Sequence, residues 1–342
     1  MEMMIGVDPH KASHTAVAIG TTETEVASKK VRATRNQVAQ LLAWAEPFPT
    51  RTWAIESAYG LGFLLAQQLV AAGETVVDVP ATLVSRTRLL ASGRSDKTDP
   101  NDALSVAITA LRNKSLRRVE TVDHADLLRL LFRRNMQIGN HRSRSVSRLH
   151  ALRLELQPGG LAKEIKASDV HRFLESVHPV SPTEQVRYDL AVEMLEEIEH
   201  LDEQLKASHQ RIREAVTASN TTLTDIYGVG AVVAAALIGY SGDVTRFANR
   251  DHFAAYNGTA PREVSSGVRR VHRLSRRGNR RMNHAIHIVA LTQISHHGTA
   301  GRAYYERRLE EGKTKREAIR ALKRHISNTI YQHLLADARR EG

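Results

Sequence analysis

The chain has 342 residues, of which 42% are hydrophobic and 25% charged, so it can form two or three globular domains with a sizeable core. It contains no cysteine, which excludes disulfides, thiolate metal sites and a cysteine nucleophile. The formal net charge of +12 favours a polyanionic partner, most commonly nucleic acid. The sequence starts in a strand pattern, unlike a signal peptide, and its longest apolar run, residues 231–238, is too short to cross a bilayer. We therefore expect a cytoplasmic protein with no membrane partner.

Residues 1 to about 110 alternate between strand and helix signals. Short apolar runs predict the strands, and capping and breaking residues mark the ends of the helices. Early strands in succession, followed by strand–helix–strand, predict a mixed α/β sheet whose order resembles the RNase H-like fold. The expected strands are 3–7, 15–19, 25–31, 53–55 and 75–79, and the expected helices are 34–44, 60–72 and a segment after Pro80.

Four acidic residues stand out in this region. Asp8 and Glu56 each close an apolar run. Asp99 and Asp102 lie at the start of a predicted helix, with Asp99 as N-cap and Pro100 as the first helical residue. Taken alone, this last pair is better explained as a capped helix start with two solvated acids. Acids at two strand ends and at a helix start could instead build one anionic pocket for Mg²⁺.

Residues 120 to about 217 have a helical pattern. An arginine-rich helix is predicted at 127–156 and a second helix at 182–215, with 157–181 as their connection. The two could form an antiparallel hairpin within one chain, and a dimer contact explains the pattern nearly as well. The second helix carries an apolar stripe with coiled-coil spacing, made of Met194, Ile198, Leu201, Leu205 and Ile212.

Residues 220–342 predict a helical domain. The segment G-V-G followed by A-V-V-A-A-A-L-I-G resembles a helix-hairpin-helix motif, in which a glycine turn lets backbone N–H groups approach a phosphate. A plain tight turn between helices explains this short segment about as well. Further helices are expected at 284–294 and 315–336.

An arginine-rich block lies within this domain. From position 262 to 281 there are eight arginines against one acid, Glu263, and the block contains S-S-G at Ser265, Ser266 and Gly267. The excess of arginine over lysine favours phosphate binding, because a guanidinium group pairs with two phosphate oxygens at once. From the residues alone, Ser266 is a hydroxyl in a turn before glycine. The predicted nucleic-acid-binding residues are Arg262, Arg269, Arg270, Arg273, Arg276, Arg277, Arg280 and Arg281.

Together these motifs resemble the DEDD transposases of the insertion-sequence one-ten family, which are kin to the Piv-type DNA invertases. The acidic blocks are G-V-D-P-H-K, I-E-S-A-Y-G and K-T-D-P-N-D-A. The later blocks are G-V-G-A-V-V-A-A-A-L-I-G, G-T-A-P-R-E-V-S-S-G and R-L-S-R-R-G-N. They occur in the family's order over nearly the whole chain.

The resemblance implies an α/β plus all-α architecture in three regions. These are a RuvC-like RNase H-fold domain at 1–118, a helical coiled-coil region at 119–219 and a C-terminal transposase domain at 220–342. The implied activity is serine-dependent cutting and rejoining of DNA strands. The implied catalytic residues are Asp8, Glu56, Asp99, Asp102 and Ser266, with the four acids as ligands of Mg²⁺.

The nucleophile and the partners are also implied by the resemblance. The serine directly before the glycine is Ser266, and the adjacent Ser265 is the alternative. The partners would be donor DNA, target DNA, a structured guide RNA encoded by the element's flank and further copies of the chain in a dimer or tetramer. Two other functions remain open at this level: a RuvC-like metal-dependent nuclease that uses water, and a nucleic-acid-binding protein without catalysis.

Overall fold

The computed structural model describes residues 2–92, 99–121, 124–158, 167–266, 269–273 and 278–341. For residues 88–92, 99, 262–266, 269–273 and 341 it describes the backbone but not the side chains. The chain divides into two compact units, Met1–Val122 and Asp123–Gly342. Within the described residues, no helix combines the length and apolar character needed to cross a lipid bilayer.

The first unit is built on a six-stranded sheet with the order β3-β2-β1-β4-β5-β6. β1, β2 and β3 form an antiparallel meander, and β4 and β5 run parallel to β1. This confirms the predicted mixed sheet with an RNase H-type strand order. The strands are β1 (Met3–Pro9), β2 (Ser13–Ile19), β3 (Glu25–Arg32), β4 (Arg51–Glu56), β5 (Val76–Val79) and β6 (Arg117–Arg118).

Helices cover both faces of this sheet. α1 (Gln37–Trp44) and α2 (Phe63–Ala71) pack on one face through a core that includes Trp53 and Ile55. On the opposite face, residues of α3 (Ala81–Ser92) and α4 (Asp99–Arg112) pack against other positions of the same strands. The three layers follow from the alternation of side chains along each strand, because both faces are apolar and both require cover.

α1 begins later than predicted. The sequence placed its start at Thr34, whereas the helix begins at Gln37 with Asn36 at the N-cap position. The Thr34 hydroxyl donates to Oδ1 of Asn36 (2.6 Å), so these two side chains bond each other and Asn36 makes no side-chain cap bond to the helix backbone. Such local side-chain bonds compete with helix formation at the first turn.

A buried imidazole lies between the sheet and α1. His14 on β2 is 5% exposed, and its Nε2 donates to Oε1 of Gln37 (3.0 Å). Nε2 of Gln37 in turn donates to Oε1 of Gln68 (2.7 Å). Burial lowers the pKa of His14, and repulsion from His10 adds to this, whereas the Gln37 bond and the charge of Asp8 oppose it.

Acidification is expected to destabilise the first unit through His14. The unfolded state binds a proton near the ordinary pKa of about 6.5, while the folded state resists it, so the free energy of unfolding falls as pH drops below that value. One such group contributes at most about 1.4 kcal/mol per pH unit. Urea titrations at several pH values, followed by tryptophan fluorescence, measure this unit alone because both tryptophans, Trp44 and Trp53, lie in it.

The matched variants are His14→Gln and His178→Gln. His14→Gln should flatten the pH dependence between pH 7 and 5, while His178→Gln, at an exposed position of the second unit, should not change it. An equally steep dependence in His14→Gln would assign the acid sensitivity to another group.

The second unit is predominantly helical. Short 3-10 turns at Thr222–Asp225 and Val244–Arg246 flank the central α8, and one two-stranded ribbon interrupts the helices. Its elements are α5 (His124–Leu156), α6 (Ala167–Glu175), α7 (Pro182–Ala218), α8 (Ala231–Ser241), α9 (Arg250–Asn257), β7 (Arg262–Ser266), β8 (Arg269–Arg273), α10 (Arg280–Ser295), α11 (Ala300–Glu310) and α12 (Lys315–Glu341).

The start of α7 is fixed by its capping residues. The hydroxyl of Ser181 accepts a hydrogen bond from the backbone N–H of Glu184 (3.2 Å), and the carboxylate of Glu184 accepts one from the N–H of Val180 (2.8 Å). Pro182 occupies the first turn, where its missing N–H costs nothing. This reciprocal capping box explains why a helix of 37 residues begins abruptly at this point.

α5 and α7 lie antiparallel along much of their length. Asn135 bonds Ser208 near one end (3.2 Å), and Arg187 bonds Glu155 near the other (2.6 Å), so position rises on one helix as it falls on the other. The apolar stripe of α7 is used in this pairing: Ile198 and Ile212 are fully buried in cores that contain residues of α5. Pairing within one chain is therefore favoured for these buried positions, and a dimer contact through the stripe stays a prediction. Knobs-into-holes coiled-coil packing stays a prediction.

The N-terminal part of α5 and the C-terminal part of α7 share one core with the C-terminal helices. Leu128 and Val216 are buried together with residues of α8, α10 and α12. α8 crosses α5 closely, since a Cβ added to Gly239 would lie 2.6 Å from the backbone nitrogen of Arg129. One core thus extends across position 219, which is the predicted end of the coiled-coil region. The boundaries of the three predicted domains stay predictions.

Candidate functional site

The first acid, Asp8, lies near the end of β1 and is only 6% exposed. It belongs to the same face of the strand as Gly6, because side chains alternate along a strand. On that face α4 touches the strand backbone: a Cβ on Gly6 would lie 2.2 Å from the carbonyl oxygen of Ala103 and 2.4 Å from the nitrogen of Ala107. The absence of a side chain at position 6 allows this approach.

The close approach brings a second acid to the same face. Asp102 directly precedes Ala103 on α4 and is 7% exposed. Because Ala103 touches the strand backbone at Gly6, Asp102 lies one residue from that contact, on the helix that covers the sheet face of Asp8. Two carboxylates buried on one face at one end of a strand–helix pair disfavour each other unless a cation is nearby.

The third acid, Glu56, ends the neighbouring strand. β4 runs parallel to β1 with Val7 opposite Ile55, so continuation of this register sets Glu56 beside Asp8. Ala54, two residues earlier on β4, packs against α4, and strand alternation gives Glu56 the same face. The two strand-end acids therefore belong to one corner of the sheet.

The fourth acid, Asp99, is the first residue of α4, so the helix begins one residue earlier than predicted from an N-cap at that position. Its side chain lies outside the described residues. It lies three positions before Asp102, which gives both positions one side of the helix near its positive end.

A histidine lies beside the first acid. Nδ1 of His10 lies 3.5 Å from Oδ1 of Asp8. Among the described side chains, which exclude Asp99, no three His, Asp or Glu residues lie close enough together to hold a metal ion. The oxygen donors that are present, buried Asp8 and Asp102 with Glu56 alongside, are nevertheless of the type that Mg²⁺ prefers, and the group fits in that chemical sense.

Alanine at position 6 is expected to separate β1 from α4. Its Cβ would meet backbone atoms that cannot rotate away, so we expect a loss of about 1–3 kcal/mol or more in the stability of the first unit. Urea unfolding followed by tryptophan fluorescence measures the loss. Gly139→Ala, on a helix of the second unit with open space around its Cβ, is the control and should leave the unfolding of the first unit unchanged. Equal stability of Gly6→Ala and the unmodified chain would contradict the tight contact.

A further acid, which is half-buried, was missed by the sequence reasoning. Asp78 on β5 accepts a hydrogen bond from the backbone N–H of Ala58 (2.7 Å) in the turn that directly follows Glu56. Burial raises the pKa of Asp78, against the opposing effects of the Ala58 and Tyr59 N–H groups and of Arg117. Asp78 thus fixes the turn behind Glu56. Its signal in the sequence is an acid that interrupts the apolar run V-V-D-V.

The predicted nucleophile lies on the ribbon of the second unit. Ser266 is the last residue of β7 and pairs with Arg269 of β8, while Ser265 pairs with Arg270. Alternation along the strand gives Ser265 and Ser266 opposite faces of the ribbon. The sequence reasoning did not predict these two strands.

The arginines of the block fall in different parts of the chain. Arg276 and Arg277 lie outside the described residues, and Arg280 and Arg281 are exposed in the first turn of α10. The remaining four are in β7 or β8, where the structure describes the backbone: Arg262, Arg269, Arg270 and Arg273.

The two ends of the ribbon segment are anchored at one place. The backbone N–H of Asn279 donates to the carbonyl of Tyr256 (2.7 Å), and the N–H of Ala260 donates to Ala254 (3.1 Å). Gly278 has φ +101°, and a Cβ there would lie 2.7 Å from the same Tyr256 oxygen. The glycine is therefore needed both for its dihedral angle and for the close approach.

Two family models match the chain. Residues 5–158 match a DEDD transposase model of the IS110 type, which contains all four acids, and residues 220–306 match the transposase model of the IS116/IS110/IS902 family, which contains Ser266. Together the two matches cover more than half of the chain and define it as a DEDD transposase. It belongs to the IS110 family of these transposases. The resemblance in the sequence is confirmed at this level, whereas kinship with Piv-type invertases stays a prediction.

Proteins from bacterial insertion elements are similar over almost the full length. The uncharacterized 44.8 kDa protein of IS116 from Streptomyces clavuligerus is 25% identical, with 96% of this chain and 94% of that protein covered. The 42 kDa protein of IS900 from Mycobacterium paratuberculosis is 24% identical at the same coverage. RuvC of T. thermophilus, solved in complex with a Holliday junction substrate, has 19% identity and a TM-score of 0.29 over 35% of this chain and 100% of RuvC. At that TM-score the likeness adds nothing to the assignment.

Proposed function

We propose that this transposase cuts and rejoins DNA strands through Ser266, with Mg²⁺ held by Asp8, Glu56, Asp99 and Asp102. The observation that carries the proposal is the contact of α4 with β1 at Gly6. It sets Asp8 and Asp102, both almost fully buried, on the face and at the corner where Glu56 ends the next strand. Carboxylate oxygens gathered at one corner are the donors that Mg²⁺ prefers, and a bound cation would offset their mutual repulsion.

The four carboxylates act as oxygen ligands and as a fixed negative pocket. Bound Mg²⁺ would supply positive charge to the phosphate oxygens on which negative charge develops during strand cleavage. Asp99 and Asp102 are held by the helix geometry, and Glu56 is held by the turn that Asp78 fixes. His10 lies beside Asp8, where its imidazole can help to orient that carboxylate.

The serine step is a phosphoryl transfer. The hydroxyl oxygen of Ser266 loses its proton to a base and bonds to phosphorus, while the bond from phosphorus to a deoxyribose oxygen breaks and that oxygen takes up a proton. The resulting phosphoserine ester keeps the energy of the original phosphodiester. The hydroxyl of a second strand can then displace the serine and join the DNA without ATP.

The arginine block would contact nucleic-acid phosphates around this serine. Support for this comes from the pairing of Ser266 with Arg269 across the ribbon and from the exposure of Arg280 and Arg281 at the start of α10. The guide RNA, the separate donor and target DNAs and assembly into a dimer or tetramer belong to the same proposal, and their support is the family resemblance.

A second candidate function is a metal-dependent nuclease that uses water as its nucleophile. One observation favours it: all four acids lie in the first unit, so hydrolysis would need nothing from the unit that carries Ser266. The deciding experiment is to incubate the protein and Mg²⁺ with labelled duplex DNA that contains the genomic flanks of the gene. After denaturation, a DNA–protein adduct is isolated and its residue is mapped by mass spectrometry. An adduct at Ser266 supports the recombinase, and cut DNA without any adduct supports the nuclease.

A further inference from the structure

A buried lysine lies between α10 and α12 in the second unit. Lys323 is only 9% exposed. Its Nζ donates a hydrogen bond to Oδ1 of Asn283 (2.7 Å). An ammonium group carries three N–H donors, and this bond uses one of them.

Lys323 lacks the counter-ion that its neighbours have. Arg324 pairs with Asp251, and Arg320 lies 4.0 Å from Glu317. Among the described side chains, no carboxylate forms an ion pair with Lys323. Burial lowers the pKa of Lys323 to about 8, so at pH 7 the group is still mostly protonated. A buried cation without a counter-ion is costly to fold, which points to an anion supplied from outside the chain.

Two histidines add nitrogen donors to the same site. Burial lowers the pKa of His287 on α10, and the charge of the nearby Lys323, together with His284, lowers it further. Arg280, His284 and His287 have the spacing i, i+4, i+7 and therefore share one side of α10. Arg280 and His284 are exposed. The side of α10 next to Lys323 is thus lined by nitrogen donors that lead to the surface.

The site adjoins the base of the ribbon that carries Ser266. The side-chain amide of Asn283 donates to the carbonyl of Asn257 (3.0 Å), and the amide of Asn257 donates to the hydroxyl of Ser327 (2.8 Å). Asn257 is fully buried and ends α9, directly before the segment that leads into β7. Lys323 is therefore linked through Asn283 to the anchor of the ribbon.

We propose that Lys323, His287 and His284 bind a phosphodiester group of DNA beside the base of the ribbon. The row from His287 out to exposed Arg280 fits a chain of phosphates better than a small isolated anion, because it continues along the surface in one direction. This inference rests on the proposed function in taking DNA as the partner, and it adds a contact that lies outside the arginine block except for Arg280.

The first test uses the unmodified protein and inorganic phosphate. NMR follows the ring signals of His287, assigned with His287→Gln, while phosphate replaces chloride at constant ionic strength. An anion bound at Lys323 should raise the pKa of His287 and shift its signal, and the shift should vanish in Lys323→Met. No response of His287 to phosphate would overturn the anion site.

The second test measures how duplex affinity depends on salt. Loss of one phosphate contact should reduce the slope of log affinity against log salt by about 0.9. We expect this reduction for Lys323→Met, no reduction for Lys323→Arg, and none for Lys315→Met, an exposed position in the first turn of the same helix. Circular dichroism checks that each variant is folded. A folded Lys323→Met with an unchanged slope would contradict the proposal.

The two proposals fail in different ways. If Ser266 forms the covalent adduct but Lys323→Met keeps the full salt slope, only the phosphodiester site is wrong. If phosphate shifts His287 and Lys323→Met loses slope while the unmodified protein forms no adduct, the phosphodiester site stands and the serine mechanism is wrong.

Discussion

Replacement of Ser266 by alanine is expected to abolish the covalent DNA–protein adduct and to reduce strand exchange by a factor on the order of 10⁴ or more, as is typical when a nucleophile is removed. The loss is large because no neighbouring group can form the same ester in the same place. Denaturing gels of labelled DNA measure the adduct, and the folded state of the second unit is checked by circular dichroism.

Ser265→Ala is the matched control for this experiment. Ser265 is adjacent in the chain, but it belongs to the other face of the ribbon and pairs with Arg270 in place of Arg269. It should therefore keep the adduct at close to the normal level. If Ser266→Ala still forms the adduct and Ser265→Ala does not, the two serines have the reverse roles; if both form it, a different residue is the nucleophile.

Replacement of Asp102 by asparagine is expected to lower strand transfer by at least about 10²-fold, because even indirect partners of a metal ligand are worth 10–100-fold. The side chain keeps its size, so the contact of α4 with β1 should remain. Removal of one negative charge also reduces repulsion with Asp8 and should leave the first unit at least as stable as before.

The role of Asp102 can also be tested by measuring metal binding, which does not depend on activity. Mg²⁺ should raise the unfolding temperature of the first unit in the unmodified chain, since a ligand that binds only the folded state stabilises it. Tryptophan fluorescence reports this unit specifically, and the increase should be lost in Asp102→Asn. Glu46→Gln, which removes an exposed acid from the same unit, should keep the increase. Full activity of Asp102→Asn would show that Asp102 is not a metal ligand.

The sheet of the first unit could be predicted from the sequence because its central strands are marked by apolar runs with alternating faces. β6 could not, since its two residues, Arg117 and Arg118, form no apolar run and pair with β5 through the backbone. β7 and β8 were missed for a related reason. Their arginines were interpreted as a charged surface, although backbone pairing in a ribbon needs no apolar residues.

The identity of the acids in the candidate site could be predicted from the sequence, but their arrangement in space could not. Asp8 and Glu56 are visible as acids that close apolar runs. What brings them to Asp102 is the contact at Gly6, and a single glycine within a strand gave no indication of its partner. The buried lysine was equally hidden, because the burial of Lys323 depends on how α10 packs against α12.

The single anchor of the ribbon has a mechanical consequence. From the Arg262–Arg273 pair to the Ser266–Arg269 pair there are four residue steps, about 14 Å at roughly 3.4 Å each. A lever of this length, turned by about 10° at its pivot, moves its tip by about 2 Å, which exceeds the tolerance of a reacting geometry. The pivot consists of the hydrogen bonds around Asn257 and Asn279. A substitution such as Asn257→Ala could thus misplace the serine hydroxyl while leaving every residue near it unchanged.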